Sequence, residues 1–397
     1  MSKTILFVVN TGTISSNENG GASVYFSHLE LLAKAGFTIQ LLAVEWPNSK
    51  PFNKTDYKEI EGMVDSILTC KPVLKLPFKN LNRITNAIFK PEVFEYYFLN
   101  TSNKTYLKNI VTNHAIDLVW AEWRWAGIWA CFSQLNIPVL YAHHDWEYKL
   151  AKLRKTRTLL ERFHTFQKKR TEFKLVKMVD GCVSGSHTET KEIAFLKNAK
   201  ALYLPTTYHH VDDVLETQQV PNIVHLGGMG TTANRLGLER FLTICWNEIK
   251  RKHPQVRLKV IGSLDQAPSS LSQKLKDPNI DCLGFVENLS GVMHKRDIHI
   301  IPWEYNTGTR TRLPLVLNYQ QVLVATEASV KGFPEIKNNE NAVLCNTLKD
   351  MKNEICELIL DSDRLNTLSK AGKETFFNKF TVKSQVENLK TFIDKLL

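Results

Sequence analysis

The chain has 397 residues, enough for two domains of ordinary size with a core each, and its 43% hydrophobic content excludes a disordered protein. A formal charge of +11 suits a nucleotide, a nucleic acid or an acidic membrane face, and is equally compatible with a basic protein that binds none of these. Its 7 cysteines are odd in number and never form a CxxC pair, which argues against a disulfide frame or a zinc site and for reduced, buried thiols.

The N-terminus has no signal-peptide pattern, and no apolar run reaches the roughly 18 residues of a membrane span, so a cytoplasmic protein is expected. In chain order, the apolar run Thr4–Asn10 predicts a buried parallel strand. A polar loop, residues 11–21, precedes an amphipathic helix from Val24 to a glycine cap at Gly36, then a strand at Thr38–Val44. Further strands are predicted at 116–122, 137–143, 181–186 and 199–205. Polarity and lost periodicity from Tyr203 to Pro221 mark a linker. A second alternating series follows: strands at 222–228, 257–263, 280–286, 297–303 and 322–326, with a helix from about Leu238 to Lys252 after the first of them. The fold class is therefore α/β, with two doubly wound, Rossmann-like domains in tandem and function at the carboxyl ends of their strands. The boundaries are 1–203 for the first domain, 204–221 for the linker and 222–378 for the second. Residues 379–397 read as a final helix that could pack on either domain, including back on the first.

The stretch from Tyr305 to Thr326 combines a glycine loop, two arginines, a short helix and an apolar strand. That order suits a diphosphate held on backbone N–H groups and guanidinium forks. Pro314 is tolerated only in a first helical turn, which predicts a helix from near Thr311 with Thr307, Gly308 and Thr309 at its N-terminus. Three other places stand out: Gly20 and Gly21 after the first strand; HHDWEY, His143–Tyr148, after the strand at 137–143; and HLGGMGTTANRLGLERFL from His225.

Taken together, these four segments resemble the glycosyltransferases of the GT-B fold, most closely family 4, the retaining enzymes that use nucleotide sugars. The resemblance covers nearly the whole chain and implies two Rossmann-like domains facing each other across a cleft. It implies that His144 reaches the transferred sugar, with His143 in reserve, and that Glu147, Glu122 and Trp123 lie on the acceptor side. Gly20 and Gly21 would let backbone approach the donor phosphate or the acceptor, and Gly227, Gly228 and Gly230 would admit the donor phosphates. Asn234 would cap the following helix, and Arg235 is the cation nearest to the family's diphosphate clamp. Arg310, as a catalytic residue, and Arg312 would neutralise the leaving diphosphate. The family's pair of glutamates falls on Thr307 and Leu315 here, so the ribose carboxylate is missing, and Glu304 is the nearest substitute.

The resemblance implies a retaining transferase that moves a sugar from a nucleotide-diphosphate sugar to a glycan, lipid-linked or protein acceptor, in surface polysaccharide or glycoconjugate synthesis. No cofactor is expected, and no metal either, because no DxD-like carboxylate pair ends a strand. The alternatives are a nucleotide-sugar epimerase on the same fold and a non-catalytic nucleotide- or glycan-binding relative. No nucleic-acid partner is expected, since no recognisable binding module is present. The segment from Lys149 to Lys177 is basic and studded with Leu and Phe. It suits either an anionic membrane, at the inner face of the plasma membrane, or a solvated face whose apolar side packs on the domain. The tryptophans between Trp120 and Trp129 offer a sugar-stacking wall or, more ordinarily, core packing.

Overall fold

A computed structural model describes residues 2–16, 18, 20–46, 49–73, 98–153, 158–197 and 200–397. The chain divides into two compact units: Met1–Thr206 with Thr307–Thr309 and Gln385–Leu397, and Thr207–Asn306 with Arg310–Ser384.

The first unit is built on seven parallel strands: β1 (Thr4–Asn10), β2 (Thr38–Val44), β3 (Ser66–Cys70), β4 (Leu118–Glu122), β5 (Val139–His143), β6 (Gly181–Ser184) and β7 (Ala201–Tyr203). Their order in the sheet is β3-β2-β1-β4-β5-β6-β7. β3 escapes the sequence reading because most of it is only half-buried and its Ser and Thr break the apolar run. The helices are α1 (Gly20–Lys34), α2 (Thr101–Asn113), α3 (Trp123–Phe132), α4 (Glu147–Lys152), α5 (Leu159–Met178) and α6 (His187–Lys197). α1 begins at Gly20, not Val24, so Gly20 and Gly21 form its first turn instead of a loop ahead of it. The chain winds outward from β1 in one direction to β3 and in the other from β4 to β7, so the winding reverses between β1 and β4. In open α/β sheets, ligands bind beyond the carboxyl ends of the strands at such a reversal.

The second unit holds β8 (Ile223–Leu226), β9 (Leu258–Ile261), β10 (Ile280–Gly284), β11 (Ile298–Ile301), β12 (Val322–Thr326) and β13 (Val343–Cys345), all parallel, in the order β10-β9-β8-β11-β12-β13. Here the winding reverses between β8 and β11. The short β13 is absent from the sequence reading. Helix α7 (Thr232–Phe241) starts six residues ahead of the predicted Leu238 and runs through a π turn (Leu242–Trp246) into α8 (Asn247–Lys252). α9 (Ser269–Lys274), α10 (Leu313–Asn318), α11 (Glu327–Val330), α12 (Leu348–Leu358) and α13 (Ser362–Lys379) complete the layers. Ile223, Val260, Ile300 and Val324 from the sheet pack with Phe241 and Trp246 on one face; Val224, Leu323 and Ala325 pack with Phe376 on the other. The last helix is α14 (Val382–Asp394). From Gln385 onward the chain belongs to the first unit, where Leu396 and Phe392 lie so close over Gly181 that an added Cβ would fall 2.7 Å from Leu396 Cδ1.

All seven cysteines are unbridged: five are buried and Cys131 is half-buried, but Cys282 is exposed, unlike the buried thiols expected.

Candidate functional site

The winding reversal in the first unit is occupied by charge. Glu122 ends β4 and has no exposed surface, yet three donors converge on it. His28 Nδ1 lies 2.7 Å and Trp120 Nε1 2.8 Å from Oε1, while His144 Nε2 lies 2.6 Å from Oε2. Burial pushes this carboxyl upward, but the charge of His28 and the hydrogen bonds of His144 and His28 outweigh it and bring it down to about 2. Glu122 is therefore ionised and accepts only, so each histidine must turn an N–H toward it. That fixes His144 with its Nε2 committed and its Nδ1 as the second polar atom of the ring.

Packing holds the same ring. His144 stacks on Trp123 with centroids 4.5 Å apart and an angle of 8°, and meets Tyr25 edge-on at 5.7 Å. Trp123 Nε1 donates to the Tyr25 hydroxyl, and burial raises the pKa of that phenol. Trp123 itself sits at φ 69°, in the left-handed region that a bulky side chain rarely adopts. Such strain at a strand end is a common mark of a ligand site. His28 and Tyr25 were not anticipated, and Trp120 was expected only in a stacking wall or the core, not as a donor to Glu122. A single histidine or tyrosine on an amphipathic helix carries no signal of its own, and only the fold brings α1 beside β4.

His143 is held elsewhere: it is buried, 2.9 Å from Glu189 and packed on Trp146. Glu147 belongs to another cluster, with Lys168 at 2.6 Å and Arg124 at 3.4 Å. Of the tryptophans expected as a stacking wall, Trp120 and Trp129 are fully buried core and Trp125 packs on Trp46, which leaves Trp123 at the site. Thr307–Thr309 groups with this unit: the Thr309 N–H donates to Asp145 at 2.9 Å and its hydroxyl to the His144 carbonyl at 3.2 Å. These residues precede α10 by several positions instead of forming its N-terminus, because the helix begins at Leu313 with Arg312 at its cap.

The winding reversal in the second unit carries a bare-backbone turn. Gly227, at φ 149°, and Gly262, at φ 129°, directly follow the neighbouring strands β8 and β9. A Cβ on Gly262 would lie 2.6 Å from the Gly227 carbonyl carbon, so only glycine lets the two turns pass. Asn234 does not cap α7. Thr231 holds the cap position without a side-chain bond, while Asn234 Nδ2 donates to the Gly228 carbonyl at 3.2 Å. Arg235 donates to the Met229 carbonyl at 3.3 Å, so both side chains brace the turn. Gly230 faces Gln266 across ordinary contact distance. Glu304, just past β11, forms an ion pair with Arg240 of α7. Arg310 and Arg312 are both half-buried, and burial draws the Arg312 guanidinium below its ordinary value. Among the described residues no group of three or more His, Cys, Asp or Glu could hold a metal ion. Nor is any helix among them long and apolar enough to cross a membrane.

Residues 220–361 match the family of glycosyl transferases group 1. No curated protein matches the chain by sequence. Solved structures of the same fold include a glycosyltransferase from Rickettsia africae ESF-5, at 16% identity and TM-score 0.61, covering 100% of this chain and 99% of that one. Anabaena HepE in complex with UDP and glucose has 12% identity and TM-score 0.68, covering 99% of this chain and 100% of its own. A variant of S. aureus TarM in complex with fondaparinux, alpha-GlcNAc-glycerol and UDP has 10% identity and TM-score 0.69, with the same coverage of 99% and 100%. At such identities the likeness shows the fold, which is GT-B.

Proposed function

We propose that this chain, with its GT-B fold and its glycosyl transferases group 1 region, is a retaining glycosyltransferase that moves a sugar from a nucleotide-diphosphate sugar to a glycan, lipid-linked or protein acceptor. The observation that carries this reading is the glycine turn at Gly227 and Gly228, at the winding reversal of the second sheet, inside the matched region and directly ahead of α7. A turn without side chains lets a diphosphate reach the first N–H groups of α7, where the helix dipole favours an anion by about 0.3–1 kcal/mol. UDP bound by HepE and TarM supports a nucleoside diphosphate as the ligand class.

The acceptor belongs to the first unit, with His144 set by Glu122 and Trp123 to meet the sugar. The acceptor hydroxyl attacks the anomeric carbon from the face the diphosphate leaves, and its proton passes to the departing phosphate oxygen. Arg310, Arg312 and the α7 dipole take up the developing charge, so no metal is required and chelators leave the rate unchanged. Glu304 is the carboxylate available to the donor ribose, provided it exchanges Arg240 for the sugar hydroxyls. The work is cytoplasmic and serves surface polysaccharide or glycoconjugate synthesis.

The test is turnover with a panel of nucleotide sugars. Arg310→Ala should lower the rate about 10²–10³-fold, as loss of one charge-stabilising group does, while leaving thermal unfolding unchanged. Wild-type transfer by a folded Arg310→Ala protein overturns the assignment, as does wild-type protein that transfers from no donor.

A further inference from the structure

Helix α5 faces solvent along a single stripe. Of its exposed positions, Leu159, Arg162, Phe166, Arg170, Lys174 and Lys177 recur at steps of three and four residues and share one face, with exposed Leu160 and Met178 beside it. The stripe has four cations and no acid. The two glutamates of α5 lie off the stripe and are already engaged: Glu161, half-buried, closes the capping box with Thr158, and Glu172 is buried, accepting the Glu147 N–H at 2.9 Å. Lys174 keeps its ammonium 5.3 Å above the Phe132 ring and is still exposed. What sets this face apart is that its cations stand together with large apolar groups: Leu159 is 83% exposed, Phe166 62% and the neighbouring Leu160 51%.

We propose that this stripe is a docking surface for an anionic lipid bilayer, with Leu159, Leu160 and Phe166 entering the headgroup boundary and Arg162, Arg170, Lys174 and Lys177 pairing with lipid phosphates. Charge complementarity selects an anionic partner, and exposed Phe and Leu select one with an apolar interior. A nucleic acid or an acidic protein face would use the cations and leave the apolar side chains unpaid.

The position of the stripe gives it a purpose. The chain leaves the carboxyl end of β5 into α4, and α5 then delivers it to the amino end of β6, which starts at Gly181. The first turns of α5, which hold Leu159, Leu160 and Phe166, therefore lie at the carboxyl end of the sheet, the end that carries Glu122 and His144. On the transfer reading above, docking brings the acceptor side of the first unit to sugar acceptors carried in the bilayer.

The experiment is co-sedimentation of the full chain with vesicles of phosphatidylcholine alone, or with one-third phosphatidylglycerol, at low and high salt. Wild type should pellet with the anionic vesicles and stay in solution with the neutral ones. Arg162→Gln with Arg170→Gln should weaken partitioning about twenty-fivefold, about fivefold for each cation removed. Leu159→Ser with Phe166→Ser should weaken it at least tenfold at high salt, where charge is screened and apolar insertion dominates. All these positions are exposed, so thermal unfolding should be unchanged. Wild type that remains in solution with anionic vesicles overturns the proposal. So does a Leu159→Ser, Phe166→Ser protein that pellets like wild type, since that leaves a purely electrostatic partner such as nucleic acid. The vesicles contain neither donor nor acceptor, so the outcome is independent of transfer.

Discussion

Glu122 is ionised without touching water because His28, His144 and Trp120 replace its hydration. A depressed carboxyl contributes stability above its unfolded value and loses it as pH falls through its folded one. Between about pH 4.5 and about 2, protonation of Glu122 should therefore cost about 3 kcal/mol, visible as a falling urea midpoint. In Glu122→Gln that share of the slope should vanish, and at neutral pH the variant should be about 3–5 kcal/mol less stable, because an amide N–H then faces a histidine N–H. His28 separates positioning from mere packing. His28→Leu should cost about 1–3 kcal/mol for the oxygen left short of a donor and lower transfer in parallel. His28→Gln, which can still donate to Oε1, should recover most of both. Equal rates for the Leu and Gln variants in transfer assays would show that His28 only fills space. At this scale His144 and Glu122 are legible in the sequence because each closes an apolar strand run. His28 is not, because its partner lies 94 residues away.

Elements set the strain around these residues. α4 follows directly on the strand end of β5, and its first N–H groups turn inward onto Glu172 of α5, at 2.9 Å from Glu147 N and 3.4 Å from Tyr148 N. Burial raises Glu172, and Glu147 adds to that, while Arg124, His143 and the Tyr148 N–H only partly offset it, leaving it at about 7. The sign is opposite to that of Glu122. A raised carboxyl favours folding while it keeps a proton that the unfolded chain has lost, so its contribution falls as pH rises from about 4.5 to about 7, by about 3 kcal/mol. Glu172→Gln should flatten this part of the stability–pH curve; a wild-type slope in that variant would assign it to another group. In the second unit, Gly262→Ala should destabilise by roughly 3 kcal/mol or more, since the new Cβ meets backbone that cannot step aside. Denaturant midpoints within about 0.5 kcal/mol of wild type would mean that the two turns can part. Helix starts were the least legible elements. Gly20, Thr232 and Leu313 open helices whose first turns lack the apolar period, or begin beside a proline, so pattern alone shifts them by several residues.

On the scale of the whole chain, the two alternating series of strands and helices are legible because parallel strands buried on both faces are continuous apolar runs, in whichever unit they occur. What the series cannot encode is which strand-end residues share a site, since that depends on sheet order, and β1 beside β4 or β8 beside β11 is a tertiary choice. The same order divides the candidate ligand groups by unit: an ionised carboxylate with two histidines in the first, and bare backbone with cations in the second. If the second alone takes the nucleotide, UDP should protect it unevenly against hydrogen exchange. At about 100 times its Kd, UDP stabilises the bound region by about 2.7 kcal/mol, roughly a hundredfold slowing of exchange in amides that open only with the site. Peptides spanning the Gly227–Gly230 turn and the first turn of α7 should show it, and those spanning Glu122 and His144 should not. Protection confined to the first unit would reverse the assignment of donor and acceptor, because a ligand slows exchange most where it replaces solvent on backbone N–H groups.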